Sequence, residues 1–149
     1  MQPDERDPTR AAEWLRRAKS NLARAKMPKS DPAILFEDMC FDAQQAVEKA
    51  LKGVLVHLQV PFPKTHSIAE LLALVGSAGI QIPPDIINEA VALTVYAVES
   101  RYPGLLEDIE ESQYLEAVTI AERVVSWAEL TVAVHPSAQD ESTGPPSDE

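Results

Sequence analysis

Apolar residues recur at three- and four-residue intervals over nearly the whole chain, the spacing that lays them along one face of an α-helix. The first run is Ala11, Trp14, Leu15, Ala18, Leu22 and Ala25. Asp7-Pro8 precedes it as N-cap and first helical residue, and Met27-Pro28 closes it. Asp31-Pro32 repeats the start signal and predicts the longest helix, to about Leu58. Phe36, Cys40, Ala43, Val47, Ala50, Leu51, Val54 and Leu58 fall on one stripe there, which makes it the central helix. Pro61-Phe62-Pro63 then forces a turn. Ser67 and Glu70 have capping-box spacing ahead of Ile68, Leu71, Leu72 and Val75, and Gly76 and Gly79 end that third helix. Pro83-Pro84-Asp85 opens a fourth, carrying Ile86, Ile87, Ala90, Leu93, Ala97 and Val98, with a break at Arg101-Tyr102-Pro103-Gly104. The last helix runs from about Ser112 to Val134 on Leu115, Val118, Ala121, Val125 and Ala128. Acids at Glu107, Asp108, Glu110 and Glu111 favour its N-terminal dipole.

No segment shows the two-residue alternation of a half-buried strand. The expected fold is therefore all-α, a five-helix up-and-down antiparallel bundle over residues 7–134. Residues 135–149 carry Ser, Pro, Asp and Glu with no large apolar side chain, and are expected to form a disordered tail. A chain of 149 residues with 45% hydrophobic content suits one domain with an ordinary core.

Composition removes several classes of function. A single cysteine forms no internal disulfide and no Cys-based zinc site, and Cys40 lies on the apolar stripe, where a buried inert thiol is expected. The first thirty residues lack the apolar core of a signal peptide, and no apolar run reaches the ~18–20 residues that span a bilayer. A cytoplasmic protein with no membrane contact is the expectation. The net charge of -11 argues against a protein that coats nucleic acid. The charge is uneven, however: residues 1–30 hold eight basic and four acidic residues, whereas 31–149 hold five basic and twenty acidic.

Scattered glycines leave no phosphate-binding loop, and His57, His66 and His135 share no metal-pair spacing. Neither a metal, a cofactor nor a catalytic residue is expected. Three groupings remain. Gln45, Glu48, Lys49 and Lys52 share one arc of the second helix, opposite its apolar stripe. They form either a solvated face with a Glu48–Lys52 pair or two ammonium groups beside a phosphate. Phe41 and Val56 lie on the same arc and suggest that it is covered, most simply by another subunit. Lys64-Thr65-His66-Ser67 precedes the third helix, where free backbone N–H groups favour an anion; the alternative is a capping turn in which His66 bonds locally. Arg101, alone among acids, either pairs with a carboxylate or meets an anionic partner, and Tyr102 either stacks on a base or packs on the bundle.

Together these groupings resemble the HEPN (higher eukaryote and prokaryote nucleotide-binding) domain family. The resemblance runs from Ala12-Glu13-Trp14-Leu15-Arg16-Arg17-Ala18 through Phe41-Asp42-Ala43-Gln44-Gln45-Ala46-Val47-Glu48-Lys49-Ala50-Leu51-Lys52, Pro63-Lys64-Thr65-His66-Ser67-Ile68 and Ser100-Arg101-Tyr102-Pro103-Gly104 to the last helix. It implies a helical bundle that dimerises and accompanies a minimal nucleotidyltransferase, often as a toxin–antitoxin pair. Many members are metal-independent RNases that use an Arg followed by a His with four to six residues between. Counting from Arg101, that His would fall at Leu106, Glu107 or Asp108, and no other arginine has one at that spacing. The expected general acid or base is therefore missing, and RNA is a disfavoured ligand.

The expectation is a non-catalytic homodimer that binds a nucleotide or similar phosphorylated ligand through Lys49, Lys52, Lys64, His66, Arg101 and Tyr102, with a nucleotidyltransferase partner. Two other readings stand beside it: an RNase using Arg101 and His66, and a pure protein-interaction module.

Overall fold

The computed structural model describes residues 8–98 and 108–136. Among these every regular element is helical: α1 (Pro8–Lys26), α2 (Phe36–His57), α3 (Ile68–Ser77), α4 (Pro84–Ala92), the single turn α5 (Val95–Val98) and α6 (Glu111–Val134). The expected all-α fold is what forms. The Asp7 cap, Arg101 with Tyr102, and the tail from residue 137 onward lie outside the described residues.

Three boundaries differ from the sequence expectation. The Asp31-Pro32 signal makes a turn rather than a helix start, because Asp31 accepts the Ala33 N–H at 2.7 Å and Leu35 is extended before α2 begins. The predicted fourth helix divides at Leu93–Thr94, where Leu93, Thr94, Tyr96 and Ala97 each donate to the carbonyl three residues back. The last helix starts one residue early, with Glu110 N–H donating to the Gln113 side chain at 2.8 Å. The third helix keeps its Ser67 cap, which accepts the Glu70 N–H at 3.2 Å. Beyond it the chain turns at Gly79, whose φ of 94° suits glycine alone.

Cross-helix pairs fix the directions. Trp14 meets Gly53 whereas Arg24 meets Asp42, so α1 runs antiparallel to α2. Lys19 pairs with Glu129 and Lys26 with Glu122, so α1 is antiparallel to α6 as well. Phe36 stacks on Tyr114 at one end and His57 Nε2 donates to the His135 carbonyl at 2.6 Å at the other, so α2 and α6 run parallel. α2 is the axis of the bundle, packing against α1, α3, α5 and α6. Its stripe is buried from Cys40 to Val54 and half-buried at Phe36 and Leu58, and Ala46, Gly53, Leu55 and Val56 off the stripe are buried too. α1 seats closely on it because its contact residues are small: Ala11, Ala18 and Ala25, seven apart, are all buried. Burying α2 on all sides forces its polar residues to find partners inside the chain.

Candidate functional site

Glu48, one turn before Lys52 on α2, is only 3% exposed. Its carboxylate accepts Gln44 Nε2 at 3.0 Å, Lys52 Nζ at 2.8 Å and His66 Nδ1 at 3.1 Å. Burial pushes this carboxyl up, but the hydrogen bonds from Lys52, Gln44 and His66 and the charge of Lys52 outweigh it and hold Glu48 below its usual value. An ionised carboxylate only accepts, so Nδ1 of His66 is the donor and Nε2 remains for other partners. The imidazole itself is 70% exposed. Lys52 is flanked by aromatic rings: its Nζ lies 5.8 Å from the Trp14 centroid and 5.9 Å from that of Phe62, which meet edge to face.

A second polar network lies nearer the start of α2. Lys49 Nζ donates to Asn21 Oδ1 at 2.8 Å, and Asn21 Nδ2 donates to Asp42 at 3.0 Å. Arg24 approaches the other Asp42 oxygen at 3.5 Å. Burial lowers the Lys49 pKa first, with repulsion from Arg17 next. Lys49 is therefore a half-buried cation whose hydrogen-bond partner is a neutral amide. Beside it, Arg10, Glu13, Trp14 and Arg17 line a cleft of about 190 Å³.

These geometries correct two sequence expectations. The arc of Gln45, Glu48, Lys49 and Lys52 is not a solvated face: Glu48 is buried, and α1 together with the segment around Phe62–His66 covers it. The cover over Val56 on the same arc is also formed within the chain, since Val56 is buried there. At the third helix, the start is capped from within, because Ser67 accepts from Glu70 and Thr65 Oγ1 accepts the Ser67 N–H at 3.0 Å. His66 bonds across to α2 rather than locally. Of the predicted ligand residues, Lys52 and His66 meet on one carboxylate and Lys49 lies one turn of α2 away. Lys64 is exposed two residues before His66. Sequence reasoning missed Gln44, Asn21, Asp42, Trp14 and Phe62, which hold these cations in place. In the sequence, Trp14 reads only as a core residue and Phe62 only as part of a turn.

The HEPN domain family model matches residues 11–131. The chain belongs to the HEPN domain family. It is similar to two solved structures. One is TT1696 from Thermus thermophilus, at 31% identity and a TM-score of 0.69, covering 82% of this chain and 98% of that one. The other is ST0689, an archaeal HEPN homologue, at 28% identity and a TM-score of 0.65, covering 82% of this chain and 97% of that one. No curated protein matches the chain. None of the described helices is long and apolar enough to cross a membrane.

Proposed function

We propose that this HEPN-domain chain is a non-catalytic cytoplasmic protein that binds a nucleotide or similar phosphorylated ligand. In this reading it acts as a homodimer with a minimal nucleotidyltransferase as partner. The observation that supports ligand binding is Lys49: a half-buried ammonium bonded to a neutral amide, with Arg17 close enough to repel it. An arriving phosphate relieves that repulsion and gains a charge-assisted hydrogen bond. Lys64 adds exposed charge, and the Nε2 edge of His66 adds a directional contact. Equilibrium titration with a panel of nucleotides should give saturable binding tighter than about millimolar, a free energy beyond about -4 kcal/mol. Lys49→Gln with Lys64→Gln should weaken it at least about tenfold. Absence of saturation across the panel sinks the reading. Sedimentation of the purified chain, and its capture by a purified minimal nucleotidyltransferase, test the two assembly claims.

One observation favours the RNase reading as the second choice. Glu48 holds the Nδ1 edge of His66 and leaves Nε2 facing outward, the arrangement of a carboxylate-oriented general base. Labelled RNA in EDTA decides between them. Cleavage lost in both His66→Gln and Arg101→Ala would establish an RNase, and intact RNA would leave the binding reading in place.

A further inference from the structure

Arg10, Arg17 and Arg24 are seven residues apart on α1, and so form one column beside the buried column Ala11, Ala18 and Ala25. At 1.5 Å per residue the guanidinium row repeats about every 10.5 Å and extends about 21 Å. The small alanines draw α1 against α2 and bring this row up to Lys49, which Arg17 and Arg24 both repel. Three carboxylates stand among these cations, and one of them, Glu48, attracts Lys49 but is bound to Lys52. Glu13, held down to about 2 by hydrogen bonds from Arg16 and Arg17, meets Arg17 through its Nε. Asp42 is buried and meets Arg24 only at 3.5 Å. With Arg16 on Glu13 and Lys52 on Glu48 included, six cations against three carboxylates leave an excess of positive charge on a chain whose net charge is -11. The row passes Trp14, whose ring lines the cleft with Arg10 and Arg17.

We infer that the α1 row Arg10–Arg17–Arg24, with Lys49, is a binding track for an extended chain of phosphates, with Trp14 beside it. The inference rests on the phosphate-binding reading of Lys49 and adds the size and direction of the ligand. A stacked nucleotide strand advances about 3.4 Å per phosphate, so ~21 Å corresponds to about six phosphates. That is longer than the phosphate tail of a mononucleotide. Regular spacing of cations along one line selects for a linear polyanion, because a compact anion reaches only one or two of them. Two ligands share this chemistry: a short single-stranded oligonucleotide, whose bases stack on an aromatic ring, and linear inorganic polyphosphate.

The test uses the full chain carrying Trp127→Phe, so that Trp14 alone reports, and three probes: a nucleoside triphosphate, an oligonucleotide of about six phosphates and a polyphosphate of similar length. The longer anions should bind at least about tenfold tighter than the triphosphate, with a log–log salt slope steeper by about two units for three added contacts on a single strand. Arg10→Gln with Arg17→Gln and Arg24→Gln should abolish that gain, so that the longer anions bind this variant no tighter than the triphosphate binds it. Circular dichroism melting checks the fold, and Arg17→Gln alone, which spares the Arg24–Asp42 contact, should lose part of the gain. Quenching of Trp14 by the oligonucleotide but not by polyphosphate identifies a nucleotide chain; equal binding of both identifies the phosphate chain itself. Equal affinity for short and long anions, or a length gain that survives the triple substitution, overturns the inference. If the triphosphate binds without any length effect, only the track falls; if the long anions bind and the triphosphate does not, the track stands and the mononucleotide reading falls.

Discussion

Substituting Glu48→Gln leaves the Lys52 ammonium, itself 12% exposed, facing a neutral amide. Removing one partner of a buried ion pair costs about 3–5 kcal/mol, and the partial exposure of Lys52 places the expected loss near the lower figure. Chemical denaturation measures it, and a loss under about 1 kcal/mol would mean that the pair behaves as a surface contact. The pH dependence has a definite sign. The folded Glu48 pKa lies below the ordinary 4.5, so its contribution is complete above that value and disappears as pH falls through the folded pKa. The variant should therefore lose less stability than the parent between neutral and acid pH. The burial of Glu48 was not legible from its neighbours, because Gln44-Gln45-Ala46-Val47-Glu48-Lys49 reads as polar. A clue existed in Phe41 and Val56 on the same arc, and in the alanine column of α1, which has no bulk to hold that helix away. Lys52 and His66 were legible as a pair of candidates. Their common carboxylate was not, since residues 48 and 66 meet only through the fold.

The closeness of α1 and α2 makes a second set of measurements specific. A Cβ added at Gly53 would sit 3.2 Å from Trp14 Cβ and 3.3 Å from the Leu15 side chain. Because Trp14 Cβ is fixed to its backbone, α1 must shift. Overpacking costs about 1–3 kcal/mol, while alanine gains up to about 1 kcal/mol in helix propensity. Gly53→Ala should therefore destabilise by about 1 kcal/mol, and an increase in stability would show that α1 yields freely. At the other end, Tyr114 donates to the Ala25 carbonyl at 2.6 Å, satisfying one of the last carbonyls of α1. Tyr114→Phe should cost about 0.5–1.5 kcal/mol in denaturant unfolding. At this scale the sequence specified which segments are helical, because periodicity of apolar residues is a local property. It misplaced the start of α2, since an Asp-Pro pair begins a turn as readily as a helix. It also missed the division between α4 and α5, where the hydrogen bonds shorten to three-residue spacing without any Pro or Gly to mark it.

For the whole molecule, a single axis touching α1, α3, α5 and α6 predicts one cooperative unfolding transition. Cys40 provides an independent probe, being fully buried with its thiol pushed up by burial to about 12. Alkylation of Cys40, tryptophan emission and helical circular dichroism should give the same denaturant midpoint; labelling well before the other two would reveal local opening of α2. The all-helical class and the basic first segment were legible in the sequence, while the pairing of α2 with α6 was not, because no local pattern encodes which distant helices align. That parallel pairing has a practical side. Residue 136 leaves the bundle at the end where α2 stops, a little over one turn beyond Lys52 and near the end of α1 that carries Trp14. In the Trp127→Phe chain, a fluorescent acceptor attached at that position would therefore form an optical ruler with the Trp14 indole, reporting events at this end of the bundle by energy transfer without any label on the cations themselves.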